Sequence, residues 1–198
     1  MGEGAAVVPG ADSWRLFVLL VRRSRGVAEL LEDLLGRPVR SRLVGAGELA
    51  RIAPPGLARL DTTGPVLRRH LVLSDSLPPH LPVAVSWSLV VPWRLPEEVA
   101  GALRAGAEPL ERLLSARGLA WTAQSVETET SPVEEASTPF RWAPGGSRVV
   151  EHARVVHLLS RPVAIVLDEV PYLAPRDPGS PLLPVEAETE TDNGFQFR

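Results

Sequence analysis

The first clear pattern along the chain is a pair of apolar runs at residues 66–73 and 82–92. Val, Leu and Trp dominate both runs, and Ser, Asp and Pro bound them. Apolar runs of this length and composition between turn-forming residues are typical of β-strands. The polar, proline-rich link that joins the two runs therefore predicts a β-hairpin.

Helical spacing follows directly after this hairpin. Apolar residues recur three and four positions apart in two stretches, at Val99, Ala102 and Leu103 and again at Leu110, Leu113 and Leu114. Pro96 and Pro109 precede the two stretches, as suits the first turn of a helix. Gly106 and Gly118 follow them and are expected to end the helices.

The rest of the chain repeats the same two patterns. It contains a helical stretch at 27–35, a strand at 39–44, an extended segment at 120–130, and a second hairpin formed by 147–159 and 162–170. Hairpins and helices come in blocks and do not alternate regularly. The sequence therefore predicts a single α+β domain, an antiparallel β-sheet with helices packed on it.

Composition predicts where this domain begins and ends. We expect a flexible leader over residues 1–13, the domain over 14–174, and a disordered acidic tail over 175–198. The tail is rich first in Pro and then in Glu and Asp, and such a segment buries little apolar surface.

Two other segments allow alternative interpretations. Residues 131–146 form a long connection rich in Pro, Glu, Ser and Gly, in which Phe140 and Trp142 would either cover a ligand or anchor the loop. Residues 45–50 fit a variant of the dinucleotide-binding fingerprint. Pro54 would stop the helix that this fingerprint requires, so a simple loop is the favoured interpretation there.

Composition also excludes several function classes. The chain has 198 residues with 21 basic and 24 acidic side chains, a net charge of -3, so no basic surface for nucleic acid is indicated. Lys and Cys are both absent, which excludes a Schiff-base lysine, a P-loop, thiolate catalysis and cysteine zinc sites. The longest apolar run near the N-terminus, residues 16–21, is far too short to span a bilayer. We expect a cytoplasmic protein without nucleic-acid or membrane partners.

Arg69 is the most informative charged residue, because it lies inside an apolar run. Its neighbours on the same strand face are Leu67 and Leu71. A buried guanidinium requires an anion, which is either a carboxylate of the protein or one of a ligand. The four histidines show no metal-ligand pattern and no Gly-x-Ser-x-Gly motif is present, so neither a metal site nor a serine hydrolase is indicated.

Taken together, these elements resemble the chorismate pyruvate-lyase family. The matching features are Arg69-x-Leu71-x-Leu73 in one strand, Ser88-Leu89-Val90-Val91 at the end of the next, Arg94-Leu95-Pro96 at a helix start, Pro109-Leu110, and the closing hairpin with Arg154, the turn at 160–162 and Glu169. Two positions depart from the family. Glu111 stands where the family usually has Gly, and Trp87 stands where members with Ser at position 88 have a carboxylate.

The resemblance implies a lyase that releases pyruvate from chorismate and leaves 4-hydroxybenzoate, with no metal or other cofactor. It implies that Arg69 binds a substrate carboxylate and that Glu169 binds the ring hydroxyl and handles the proton. Leu110 would contribute backbone contacts beside the ring.

Arg154 and Ser88 complete the substrate-binding set that the resemblance implies. A structural role is the alternative for Arg154. The register of the last strand is also open, so Asp168 remains an alternative to Glu169 as the acid of the site.

A second interpretation is a non-catalytic binder of a small aromatic carboxylate, either an inactive paralogue or an effector-sensing domain. Effector domains of some transcription regulators share this fold, and fold alone does not fix function. We expect no DNA-binding domain, because no basic N-terminal segment is long enough to form one.

Overall fold

The computed structural model describes residues 11–49, 57–133, 136, 138–140, 142–143 and 147–172. The helices are α1 (Ala11–Arg23), α2 (Val27–Leu35), α3 (Glu97–Ala105) and α4 (Leu110–Ala116). The strands are β1 (Val39–Leu49), β2 (Val66–Asp75), β3 (Pro82–Val90), β4 (Trp121–Pro132), β5 (Arg148–Leu158) and β6 (Arg161–Pro171). The predicted α+β class is confirmed.

All six strands belong to one antiparallel sheet with the order β1-β2-β3-β6-β5-β4. Two three-stranded meanders, β1–β3 and β4–β6, therefore meet where β3 pairs with β6. The α3–α4 pair lies between the two meanders in sequence, so it covers the sheet close to that central junction.

The helices cover one face of the sheet and bury two apolar clusters against it. Helices α3 and α4 pack on the first, which includes Leu67, Val90, Val99, Leu103, Leu114, Val156 and Ala164. Helices α1 and α2 pack on the second, which includes Phe17, Val21, Leu31, Leu73, Ala84, Val150 and Val170. Burial of these side chains supplies the main driving force that holds helices and sheet together.

Short irregular segments cover the opposite face. Leu60 packs there with Val66 and Val91, and the fully buried Phe140 packs with Val72 and Val85. Nearby, the Trp142 indole N–H donates a hydrogen bond of 3.0 Å to the Pro82 carbonyl. These contacts support the anchoring role for Phe140 and Trp142.

Local backbone geometry explains two of the sharp chain reversals. Gly36 ends α2 at φ 64°, in the left-handed region that favours glycine, and its N–H donates to the Glu32 carbonyl. The two-residue turn between β5 and β6 consists of Leu159 and Ser160, at φ 50° and 64°. Positive φ at both positions matches the twist of a tight hairpin.

One predicted segment has a different structure. Residues 45–49 belong to β1 and pair with β2 after a bulge between Leu43 and Gly45, so both the fingerprint and the simple-loop interpretations are wrong. The pairing supplies hydrogen bonds that a loop would lack, although little of this edge strand is buried. The predicted leader and the 175–198 tail lie outside the described residues, except that residues 11–13 begin α1.

Among the described residues, no helix combines the length and the apolar character needed to cross a membrane.

Candidate ligand-binding site

Two rows of polar side chains cross the helix-covered face of the sheet. Strand register aligns Arg69, Ser88, Val166, Arg154 and Ser125 in one row, and Ser86, Asp168, His152 and Thr128 in the next. Along the strands, an apolar row lies on each side of this band. One row consists of Leu67, Val90, Ala164 and Val156, and the other of Leu73, Ala84, Val170 and Val150. A polar band is thus enclosed between two apolar cores, directly beneath the helices.

Arg154 lies at the centre of an ion cluster in this band. Its Nε and one terminal nitrogen donate to Glu111 Oε1 at 3.2 and 2.6 Å, and its other terminal nitrogen donates to Asp168 Oδ2. All three side chains are buried. One arginine therefore serves two carboxylates, one from the sheet and one from α4.

Two buried carboxylates share one guanidinium in this cluster, and the pKa of Asp168 is shifted. Burial raises the pKa of Asp168 to about 6, and the nearby Glu111 carboxylate adds to the shift. Arg154 and a hydrogen bond from Ser86 act in the opposite direction. For Arg154, burial alone would lower the pKa, but attraction to Asp168 and Glu111 is stronger and raises it.

Arg69 lies in the same row but has no carboxylate partner. It is 1% exposed, and one terminal nitrogen donates to the carbonyls of Gly106 and Glu108, both at 2.9 Å. Its Nε is buried and has no hydrogen-bond partner. Burial lowers the pKa of Arg69 to about 10, although Glu111 and Glu108 partly offset the effect. No ion pair to Arg69 occurs within the described part of the chain.

His152 is a further buried ionisable group in the band. Its Nδ1 lies 3.0 Å from Thr128 Oγ1, and it is the cross-strand neighbour of Asp168. Burial, reinforced by the charge of Arg154, lowers the pKa of His152 to about 4. The imidazole is therefore neutral at physiological pH.

Helices α2 and α4 cover the polar band on the helix-covered face of the sheet. Arg112 of α4 forms an ion pair of 2.6 Å with Glu32 of α2, which fastens the two helices together. A cavity of about 10 Å³ remains between them and the sheet, lined in part by Glu29, Ser86 and the Arg154 cluster. Such a space holds roughly one water molecule. In this structure the space between these helices and the sheet is therefore too small for an organic ligand.

The structure brings together some of the residues proposed from the sequence and separates others. Arg69, Ser88 and Arg154 share one row, and Leu110 is buried in the adjacent core at the start of α4. Glu169 follows Asp168 on β6, so its side chain points to the opposite face of the sheet. Asp168 is the acid that faces Arg154, and its role in a site stays a prediction.

Sequence reasoning missed two members of the site. Glu111 was noted only as a departure from the family pattern, and its contact with Arg154 joins positions that are 43 residues apart. His152 had no distinguishing spacing at all. An available signal was its i, i+2 relation to Arg154, which places both side chains on one strand face.

Comparison with known proteins gives a consistent result at the level of fold. The structure is similar to the ligand-binding domain of a protein described as a GntR-family transcriptional regulator from Bordetella bronchiseptica, with TM-score 0.50, 19% identity, and coverage of 67% of this chain and 85% of that one. It is also similar to the effector domain of PhnF from Mycobacterium smegmatis, with TM-score 0.55, 19% identity, and coverage of 73% and 87%.

The match to the longer PhnF chain has TM-score 0.55 and 18% identity, and it covers 73% of this chain but only 63% of that one. No family model matches the sequence, and no curated protein is detectably similar to it. The chain therefore has the α+β fold of regulator ligand-binding domains.

The prediction of a carbon–oxygen lyase is corrected by these comparisons. The similar structures include the ligand-binding domain of a protein described as a GntR-family transcriptional regulator and the effector domain of PhnF, whereas the lyase was inferred from short motifs shared with a family of the same fold. Those motifs are strand and helix boundaries as much as site residues, so they indicate the fold and leave the chemistry unspecified.

Proposed function

We propose that this domain is a non-catalytic binder of a small anionic ligand, whose negative group is held by Arg69. The observation that carries the proposal is a buried guanidinium that, among the described residues, has an unpartnered Nε and forms no ion pair. Burying such a charge is costly unless an anion compensates it. A planar carboxylate suits the fork of donors that a guanidinium offers.

The position of Arg69 supports this role. The carbonyls of Gly106 and Glu108 that it contacts belong to the connection between α3 and α4. A carbonyl bears only a partial charge, so a carboxylate is a stronger partner for the guanidinium. Ligand entry then requires this connection to move aside, because its two carbonyls occupy a terminal nitrogen of the buried Arg69.

The similarity to ligand-binding and effector domains supports binding without turnover. A small aromatic carboxylate is the ligand class that we propose. Its ring would lie over the neutral centre of the first polar row, where Ser88 and Val166 separate the two arginines.

Calorimetry with 4-hydroxybenzoate, benzoate and inorganic sulfate tests the proposal. Arg69→Ala should weaken binding of the best probe by roughly 1.5–3 kcal/mol, the range for hydrogen bonds to charged groups. Arg69→Lys should recover only part of this, because a point charge does not replace the planar fork.

Arg68→Ala is the matched control. Arg68 is the adjacent residue on β2, is exposed, and points to the other face, so its removal changes the net charge equally but leaves the site intact. If none of the probes binds, or if Arg69→Ala binds as the parent does, the proposal is wrong.

A further inference from the structure

We infer that Glu111 is an internal counter-anion that takes Arg154 out of ligand recognition, so that the site accepts a ligand with one anionic group and rejects dianions. This inference rests on the proposed function, since it concerns the ligand held by Arg69. It assigns a specificity-determining role to a residue on the helix that covers the site.

The guanidinium of Arg154 is already hydrogen-bonded to carboxylates of the protein. Each of its three guanidinium nitrogens already donates to a carboxylate, two to Glu111 and one to Asp168. The side chain is 2% exposed. These bonds engage every nitrogen of the Arg154 guanidinium and three of its five N–H donors, whereas the Nε of Arg69 has no hydrogen-bond partner among the described residues.

The two carboxylates approach Arg154 from different directions. Asp168 is on β6, the strand paired with β5, so it belongs to the floor of the site. Glu111 is in the first turn of α4 and reaches down from the cover. Its carboxylate binds the Nε edge of Arg154 from the ligand's side of the sheet, where a second ligand carboxylate would otherwise sit.

Charged side chains of both signs line the cavity. Glu29, Glu111 and Asp168 line it together with Arg112 and Arg154. Arg112 is paired with Glu32 at 2.6 Å and is 3.7 Å from Glu108, and Arg154 is shared by two carboxylates. Once Arg154 is paired, the cavity lining therefore offers no net positive charge to attract a second anion.

The two ends of the polar row thus differ in what they offer to a ligand. Arg69 and Arg154 lie three strands apart, about 14 Å between Cα atoms. Of the two, Arg69 has an Nε without a hydrogen-bond partner among the described residues. Towards Arg154 the ligand meets Ser88, whose hydroxyl suits an uncharged polar group. A single carboxylate with a neutral remainder is the ligand class that fits.

The test compares a monoanion, 4-hydroxybenzoate, with two dianions on the same ring, isophthalate and terephthalate, in calorimetry. The parent should bind the monoanion at least about tenfold more tightly than either dianion. Glu111→Gln should retain monoanion binding and gain roughly 10- to 100-fold for a dianion, the scale of a charged hydrogen-bonding pair.

Glu29→Gln is the matched control, because it removes one carboxylate from the cavity but leaves Arg154 paired. It should change dianion affinity by less than about threefold. An equal gain in both variants would show that the general field, and not capture of Arg154, sets the preference, and would overturn the inference.

A measurement on the parent protein keeps the inference testable even if Glu111→Gln does not fold. Nitrogen NMR of the arginine Nε–H groups, assigned with Arg69→Lys, should show a shift at Arg69 and none at Arg154 when 4-hydroxybenzoate is added. A shift at Arg154 would mean that the ligand displaces Glu111.

The outcomes separate the two proposals. Equal binding of mono- and dianions by the parent overturns this inference alone. Absence of monoanion binding in the parent, with dianion binding gained in Glu111→Gln, overturns the role of Arg69 and supports that of Glu111. No binding by either protein overturns both.

Discussion

Arg69 and Arg154 lie on the same face of the same sheet and are almost equally buried, yet their surroundings are opposite. Arg154 is held by two carboxylates, whereas Arg69, among the described residues, donates to two backbone carbonyls. Accordingly, burial lowers the pKa of Arg69 to about 10, while the carboxylates raise that of Arg154.

Burial alone therefore does not distinguish an arginine that is paired within the fold from the one that we propose binds a ligand. Both residues lie in strands of apolar residues, and both match the family pattern. What separates them is whether the protein supplies the counter-charge. Where it does, the arginine joins sheet and helix; where it does not, the fold retains an unpaired charge that a ligand can stabilise.

The largest difference between the two arginines is expected when each is replaced by methionine and stability is measured by urea unfolding. Arg154→Met should cost about 3–5 kcal/mol, because it leaves Asp168 and Glu111 buried without their cation. Arg69→Met should change stability by only about 1 kcal/mol, since the loss of two hydrogen bonds is offset by removal of an uncompensated charge.

Equal losses in the two variants would mean that Arg69 is as fully compensated as Arg154. A ligand adds a second criterion, because 4-hydroxybenzoate should stabilise the parent but not Arg69→Met.

The pH dependence of stability tests the surroundings of Arg154 through its partner Asp168. The folded-state pKa of Asp168, about 6, is above the value of 3.8 for an unperturbed Asp. The folded state therefore binds the proton more tightly, and stability from this group is lost as pH rises from about 4 to 6. The loss amounts to at most about 3 kcal/mol.

His152 acts in the opposite sense over the same range. Its folded-state pKa of about 4 is below the unperturbed 6.5, so stability from this group rises with pH between those values. Because the two shifts are similar in size and opposite in sign, the parent should show only a shallow dependence between pH 4 and 6.

Two variants should therefore reveal opposite slopes. Asp168→Asn leaves the histidine, and stability should increase with pH; His152→Asn leaves the aspartate, and stability should decrease. Thermal unfolding at half-unit pH intervals measures both slopes. Two slopes of the same sign would exclude this assignment of the buried protons.

Asp75 provides an external reference. Its hydrogen bond with Arg37 holds the pKa of that carboxyl below its usual range. Its contribution to stability is present above about pH 4 and is lost as the pH falls further. Asp75→Asn should therefore lower stability at every pH above about 4, and its curve should approach that of the parent only at the acid end.

The sequence predicted most of the sheet and the helices because apolar periodicity decides them locally. The β2–β3 hairpin, the α3–α4 pair and the bounds of α2 all follow from such patterns. The second half of β1 did not, because an edge strand is held by pairing with β2 and shows little burial.

The site was harder to predict for two physical reasons. Strand β6 is apolar on both faces before its acids, so the pattern could not decide which of Asp168 and Glu169 shares the face of Arg154. The observed register places Asp168 on that face, and β6 begins at Arg161, one residue earlier than predicted. The role of Glu111 depends on a contact between α4 and β5, which no local pattern contains.

The smallest effect is expected at Glu169. Its substitution tests whether the ligand lies on the face of the sheet that carries Arg69 and Arg154. Glu169 pairs in register with Val85 and Glu151, and Val85 packs with Phe140 on the face away from α4. Glu169→Gln should therefore alter the affinity for 4-hydroxybenzoate by less than about twofold, well under the weight of a charged hydrogen bond. Asp168→Asn is the matched variant on the other face, and it should change ligand affinity more, because it leaves Glu111 as the sole carboxylate on Arg154. If Glu169→Gln abolished binding and Asp168→Asn did not, the ligand would lie on the opposite face, and neither arginine would be part of its site.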